Sequence, residues 1–209
     1  EKSYLNLDNK IRRAEGALGC VIGAHGSLFA LRTELIRPLP SGKAYTDDFY
    51  WSMIPLELGF NVVQSMEALS YAESAPSVLA DFRRKVRYAS TAFATGFRFI
   101  SLLWTAPPPA RYAFFSHRIS RWFLPFFLLA ALVTNVVLMG DGLIYILLGS
   151  MQALLYGVAL VGIVFPAAGR VSGLFSLSAY FVYSNAALFL GFFRWMSGRA
   201  SHRWTPARS

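Results

Sequence analysis

The chain has 209 residues and a formal charge of +9, but the charge is absent from its last third: between Trp122 and Phe193 only Asp141 and Arg170 are ionisable as acid or strong base. An apolar run of roughly 18 or more residues reads as a membrane span, so composition excludes a wholly water-soluble chain. The single cysteine, Cys20, excludes an internal disulfide framework and fits a reducing compartment. The basic residues flank apolar segments, which points to anionic lipid headgroups and not to nucleic acid.

The first 121 residues carry 15 Lys/Arg against 10 Asp/Glu. They form a segment large enough for a modest core and small for an independent enzyme. Glu1 is not a natural start residue, and no apolar run sits near it, so the chain is expected to be the C-terminal piece of a longer protein with no signal peptide here. Residues 3–15 are predicted helical and polar, with Tyr4, Leu7 and Ile11 on one face. Gly16 to Gly26 is apolar and punctuated by glycine, which predicts a buried strand and a tight loop. Leu28 to Leu31 predicts a short strand, and Pro38, Pro40 and Gly42 a surface loop. Asp47 and Asp48 open a predicted helix running to about Leu58 and ended by Gly59. Val62-Val63 and Leu69 to Tyr71 predict two more strands, an alternation that suggests part of an α/β domain.

Residues 77–103 predict a helix with one apolar stripe, Phe82, Val86, Ala89, Phe93, Phe97 and Ile100. Arg83, Arg84, Lys85, Arg87 and Arg98 cover much of the rest, so the helix suits a membrane interface, or else a core with a solvated basic face. Pro107-Pro108-Pro109 breaks the chain, and Ser116-His117-Arg118 with Arg121-Trp122 reads as an interfacial anchor. Three spans are predicted, about 122–139, 143–165 and 174–193, followed by a basic tail over 194–209. Short connections make neighbouring spans antiparallel. Asn135, Gln152 and Asn185 lie inside them, placed to hydrogen-bond between helices or to line a substrate path. With residues 1–121 on the cytoplasmic side, three crossings leave the tail's arginines outside, against the usual bias. Either one segment does not fully cross, or residues 94–115 dip into the membrane, or the bias fails.

The histidines His25, His117 and His202 are far apart, and no metal-ligand spacing, phosphate-binding loop or nucleophile elbow is present. By residue type alone, Asp47-Asp48 reads as a helix cap and the arginine run as a lipid-facing patch. Their order adds to this. Gly23-Ala24-His25-Gly26-Ser27 and the apolar residues after it, then Thr46-Asp47-Asp48, then Arg84-Lys85-Val86-Arg87-Tyr88, then membrane spans, resembles the C-terminal half of a membrane-embedded family-two glycosyltransferase, the group that includes cellulose and hyaluronan synthases. The resemblance runs along nearly the whole chain. The glycine-rich stretch is similar to that family's acceptor loop, Thr46-Asp47-Asp48 to its Thr-Glu-Asp motif, and Arg84 to Tyr88 to its Gln-x-x-Arg-Trp motif.

The resemblance implies a partial GT-A-like α/β catalytic domain over residues 1–76, then an interfacial helix and linker over 77–121, in a multi-pass protein of the cell membrane. It implies inverting transfer of a sugar from a nucleotide diphosphate to a lipid or saccharide acceptor. Asp48 would be the base, supported by Thr46 and Asp47. Arg84, Arg87 and Tyr88 would contact donor diphosphate or acceptor, and Gly23, His25, Gly26 and Ser27 would form the acceptor loop, although His25 also suits a purely structural place in it. The magnesium or manganese ion of the family would be held by a motif upstream of residue 1, leaving this chain inactive by itself. Arg84 and Tyr88 stand where processive synthases keep Gln and Trp, so long-polymer synthesis is not implied, and the oligomeric state is left open. The alternative of another class is a non-enzymatic membrane module, either a transporter piece or an assembly anchor.

Overall fold

The computed structural model describes residues 2–65, 67–70 and 77–200. The chain divides into two compact units, residues 1–122 with 190–209, and Phe123–Phe189.

In the first unit, α1 (Lys2–Ala17) is followed by a loop, a 3-10 turn at Thr33–Leu35 and α2 (Asp47–Glu57). Gly59 closes α2, as its sequence predicts: at φ +80° it takes a left-handed conformation that costs glycine little, and the chain reverses with Phe60 N–H bonded to the Pro55 carbonyl at 2.8 Å. Then come α3 (Val78–Arg98) and α4 (Leu102–Thr105). The Ser77 hydroxyl caps α3 by accepting from Ala80 N–H at 3.2 Å, with Asp81 in the first turn and Arg98 in the last, both matched to the helix dipole. Pro107 to Pro109 begin a helix as well as ending one, since proline in a first turn gives up no intrahelical bond. A continuous helix follows, made of α5 (Pro108–Ala113), a π-helical turn (Phe114–Ile119) and α6 (Ser120–Val137).

The α/β expectation is not met among the described residues. Gly16–Gly26, Leu28–Leu31 and Val62-Val63 form no sheet, and Tyr71 of the fourth expected strand lies outside the described residues. What remains is one parallel bridge between Cys20 and Val62, with Val62 N–H donating to the Gly19 carbonyl at 2.8 Å and Val21 N–H to the Val62 carbonyl at 3.1 Å.

Two further expectations change. Leu7 and Ile11 on α1 are exposed, whereas Arg12 and Glu15 are buried, so α1 turns its charged face inward. His117, Arg118 and Trp122 are buried too, not displayed as a headgroup anchor. Trp122 packs 5.1 Å from the Phe93 ring and edge-on to Phe49, and a side chain at Gly96 would run into its indole. The stripe of α3 is taken up by protein at its centre: Ala89 and Phe93 are buried, Phe192 lies 5.3 Å from Phe93, and Trp195 stacks on Phe97 at 4.6 Å.

The second unit holds most of α6, α7 (Leu143–Val164), α8 (Ala168–Val171) and most of α9 (Gly173–Met196). The helices Pro108–Val137, Leu143–Val164 and Gly173–Met196 are long and apolar enough to cross a membrane, with 11%, 11% and 22% of their most apolar stretches buried inside the chain. Surfaces so apolar and so uncovered need lipid as solvent, and the chain is a membrane protein on this ground. Gly149 lets α7 approach Asn135 of α6, and Gly162 lets it approach the Phe175 carbonyl of α9. Gln152 crosses from α7 to α6, donating to the Leu128 carbonyl at 2.9 Å and accepting from Asn135 at 3.3 Å. Asn185 departs from the expected bonding between helices: its amide donates within α9, to the Phe181 carbonyl at 2.8 Å.

Candidate functional site

Four side chains from three elements replace a strand partner for the loop at residues 22–24. Glu15 accepts from Ile22 N–H at 3.2 Å, Arg118 donates to the Ile22 carbonyl at 2.9 Å, Arg12 to the Gly23 carbonyl at 2.6 Å, and Ala24 N–H donates to the Ser52 hydroxyl at 2.9 Å. Buried backbone groups must be paired with something, and here side chains supply the pairing. His117 bridges Glu15 at 2.8 Å and Asp8 at 3.1 Å, and Asp8 also accepts from Arg12 at 2.8 Å. Burial pushes the Asp8 carboxyl up, but its bonds with His117 and Arg12 outweigh this and hold it below the usual carboxylate range. Consecutive residues His117 and Arg118 both reach this network from the π turn, whose wider winding keeps neighbours closer to one face.

Arg118 completes the packing. Its guanidinium lies over the Phe49 ring at 5.0 Å and against Gly23, which at φ +80° has neither the conformation nor the space for a side chain. One buried nitrogen of Arg118, Nε, has no hydrogen-bond partner among the described residues.

Asp48 sits in the first turn of α2, beside this loop. Its Oδ1 accepts from Phe49 N–H at 2.7 Å, which is a capping bond, while Oδ2 is turned to Gly26, where any side chain would collide with it. Burial raises the Asp48 pKa. The Phe49 N–H bond lowers it, the Asp47 charge raises it, and Arg118 and His25 lower it, leaving the group above its ordinary value. Asp47 is exposed and accepts from Asp48 N–H at 2.9 Å. His25 bonds to Ser27 at 2.7 Å, a contact within the loop.

Thr46 ties this turn to α3. Its hydroxyl lies 2.7 Å from that of Thr91, and its N–H donates to the Thr95 hydroxyl at 2.9 Å. Thr91 in turn donates to the Tyr88 carbonyl at 3.0 Å. The backbone of the Arg84–Tyr88 stretch is therefore linked to the acidic pair through two threonines one and two turns further on. The side chains are placed differently. Arg84 pairs with Asp81 at 2.7 Å along α3, Arg87 is half-buried, and Tyr88 is exposed.

A cavity of about 680 Å³ opens beside the loop, with His25, Phe29, Arg32, Ser52 and Phe60 in its wall, and Arg32 lies 6.0 Å over the Phe60 ring. Asp48 is not in that wall, and the cavity shares Ala24, His25 and Ser52 with the site.

The structure thus brings together Thr46, Asp48, Gly23, Gly26, His25 and Ser27. Sequence alone did not single out Arg12, Glu15, Ser52, Thr91 and Thr95, which hold them, and it read Arg118 as part of an interfacial anchor. Arg118 and His25 are among the charges that bear on Asp48. Among the described residues no three His, Cys, Asp or Glu side chains are gathered as a metal would need, and the first oxygens of Asp47 and Asp48 are occupied by backbone N–H groups. Asp47 and Asp48 therefore do not form a divalent-cation site, and the resemblance itself expects that ion to be held upstream of residue 1. What the arrangement can do is accept a proton at Asp48 Oδ2 from a hydroxyl brought over Gly26.

Comparison with protein-family models, with curated proteins and with solved structures returned no match.

Proposed function

We propose that this chain is the C-terminal part of a membrane glycosyltransferase that moves a sugar, with inversion, from a nucleotide diphosphate to a lipid or saccharide hydroxyl, working at the cytoplasmic face of the cell membrane. The observation that carries the proposal is Asp48: half-buried, raised in pKa, with one oxygen spent on the helix and the other aimed across a glycine. A general base works best with a pKa drawn towards the working pH, and burial does this for a carboxylate. In the step proposed, Asp48 Oδ2 takes the acceptor's hydroxyl proton as the acceptor oxygen bonds to the anomeric carbon. The bond from that carbon to the diphosphate breaks on the opposite side, and the diphosphate leaves with the electron pair.

The test uses the full-length protein in membranes. Asp48→Asn keeps the capping oxygen and cannot take a proton. Initial rates should fall roughly 10²-fold or more, with donor affinity nearly unchanged. Asp47→Asn should cost less, because Asp47 is exposed and, among the described residues, bonds its neighbour's N–H. If both variants keep normal turnover, the acidic pair is only a helix cap, and the reading as a non-enzymatic membrane module takes its place.

A further inference from the structure

The bonds around the 22–24 loop close into a ring that starts and ends on two neighbouring residues of that loop. From the Gly23 carbonyl the ring passes through Arg12 to Asp8 Oδ2, and from Asp8 Oδ1 to His117 Nε2. It continues from His117 Nδ1 to Glu15 Oε1, and from Glu15 Oε2 to Ile22 N–H. Each carboxylate gives one oxygen to His117 and the other to the loop side. Asp8, Arg12 and Glu15 all belong to α1, whereas His117 comes from the π turn of the continuous helix Pro108–Val137. The buried imidazole is the joint at which the two halves of the ring meet.

Two carboxylates on the two ring nitrogens, at 2.8 and 3.1 Å, ask for two hydrogens. A neutral imidazole carries one N–H and one lone pair, so it can donate to one carboxylate and must turn the lone pair on the other. Only the imidazolium donates to both. A lone pair set against a buried carboxylate leaves an acceptor unpaired and breaks the ring at that point. The other charges facing His117 are Arg12 from α1 and Arg118, its neighbour on the π turn, which is itself engaged with the Ile22 carbonyl and the Phe49 ring. From α5 come Arg111, bonded to the Ala106 carbonyl, and the exposed Tyr112. Neither α4 nor residues 22–24 carry an ionisable side chain, and the buried Cys20 thiol feels the Glu15 charge.

We propose that His117 is a proton-operated clamp on the 22–24 loop: as the imidazolium it ties α1 to the π turn and closes the ring, and when it gives one proton to solvent the ring opens and the loop is released. The sign follows from the bonds. The clamp is shut on the acid side of the His117 titration, where both nitrogens donate, and opens as pH rises through it. Ile22 N–H is the backbone group most directly freed, because its acceptor is a Glu15 carboxylate that His117 holds in place. The clamp stands on these bonds alone and holds whether or not Asp48 serves as a base.

The test follows ring nitrogen shifts and amide exchange together, on the 209-residue chain in micelles with nitrogen-15 label, from about pH 6 to about pH 10. At the acid end both nitrogens of His117 should carry hydrogen. As the ring loses one, protection of Ile22 N–H, corrected for the intrinsic rise of exchange with pH, should fall roughly tenfold or more over the same interval. Thr46 N–H, which donates to the Thr95 hydroxyl, should keep its protection and show that the unit stays folded. His117→Gln offers one donor and one acceptor, as the neutral ring does. It should show the low Ile22 protection already at the acid end, with no step. If that variant fails to fold, the titration of the unaltered chain decides alone. A bare ring nitrogen at the acid end would overturn the proposal, as would a ring that titrates while Ile22 stays protected. A ring that keeps both hydrogens throughout would make His117 a fixed brace, and a step that survives His117→Gln would belong to another group; either result overturns the clamp.

Discussion

Asp48 spends one carboxylate oxygen on the Phe49 N–H and turns the other to Gly26, and its burial has a pH signature. Its folded-state pKa is raised, so the folded chain holds this proton more readily than the unfolded chain, whose carboxyl titrates at about 3.9. Ionising Asp48 therefore takes stability away as pH rises through the window between the unfolded and the folded value. Asp48→Asn removes that loss while keeping the Phe49 N–H bond. Thermal melting of the two chains should coincide at low pH and separate above about 4, the variant becoming the more stable. If Asp48 is the base proposed, the same shift moves the acid limb of the transfer rate up from the ordinary Asp value. Arg118→Gln takes away a cation that favours the ionised form, so the limb should move to higher pH. A limb that stays in place would show that Arg118 only holds the Ile22 carbonyl.

At the scale of elements, the join between α2 and α3 is narrow and polar. Thr46 lends its N–H to Thr95 and its hydroxyl to Thr91, and all three residues are buried. Thr95→Val leaves a backbone N–H buried without an acceptor, at a cost of about 1–3 kcal/mol, whereas Thr91→Val has the Tyr88 carbonyl and a hydroxyl to lose and should cost about 0.5–1.5 kcal/mol. Denaturant titration of the detergent-solubilised chain measures both, and equal small effects would mean that α2 and α3 are held by their apolar contacts alone. A second join is made by size. A side chain at Gly191 would meet Ala89 and the α3 backbone, so Gly191→Leu should force the last turns of α9 off α3 and lower the melting temperature. Quenching of Trp195, which stacks on Phe97, is the local readout; unchanged fluorescence would show that the contact tolerates the bulk.

Across the molecule, what was legible in the sequence is what one stretch of chain determines by itself. The long apolar helices, α2 with its closing Gly59, and α3 with its stripe follow from periodicity and capping within each segment. The burial of Cys20, Val21 and Ile22 follows from their apolar character too. Their state as a loop does not, because the partners of that backbone are side chains distant in sequence: Glu15 before it, Ser52 and Arg118 well after it. The inward face of α1 was hidden for the same reason. Arg12 and Glu15 look like solvated charges until Asp8 and the Gly23 carbonyl, for Arg12, and His117 and the Ile22 N–H, for Glu15, supply the other half of each pair. In the candidate site, the acidic turn and the glycine loop were visible as motifs. The residue that tunes them was not, since Arg118 lies beside a membrane segment and resembles the basic flank such segments carry.

Trp122 and Leu190 mark the two points where the chain leaves the first unit and returns to it. The return is a packed one, with Phe192 and Trp195 against the rings of Phe93 and Phe97. A path that departs from one body and comes back to it has pierced any sheet bordering that body an even number of times. Three helices are long and apolar enough to cross. If the first unit keeps to one face of the bilayer, the parity of the path makes one of the three enter and turn back, or lie along the surface. Arg194 and Arg199 then share a face with the basic N-terminal residues, and the conflict with the usual charge bias disappears. Side-sensitive reporters fused before residue 1 and after residue 209 should give the same answer. Reporters on opposite faces would mean three full passages, and that the first unit does not keep to one side.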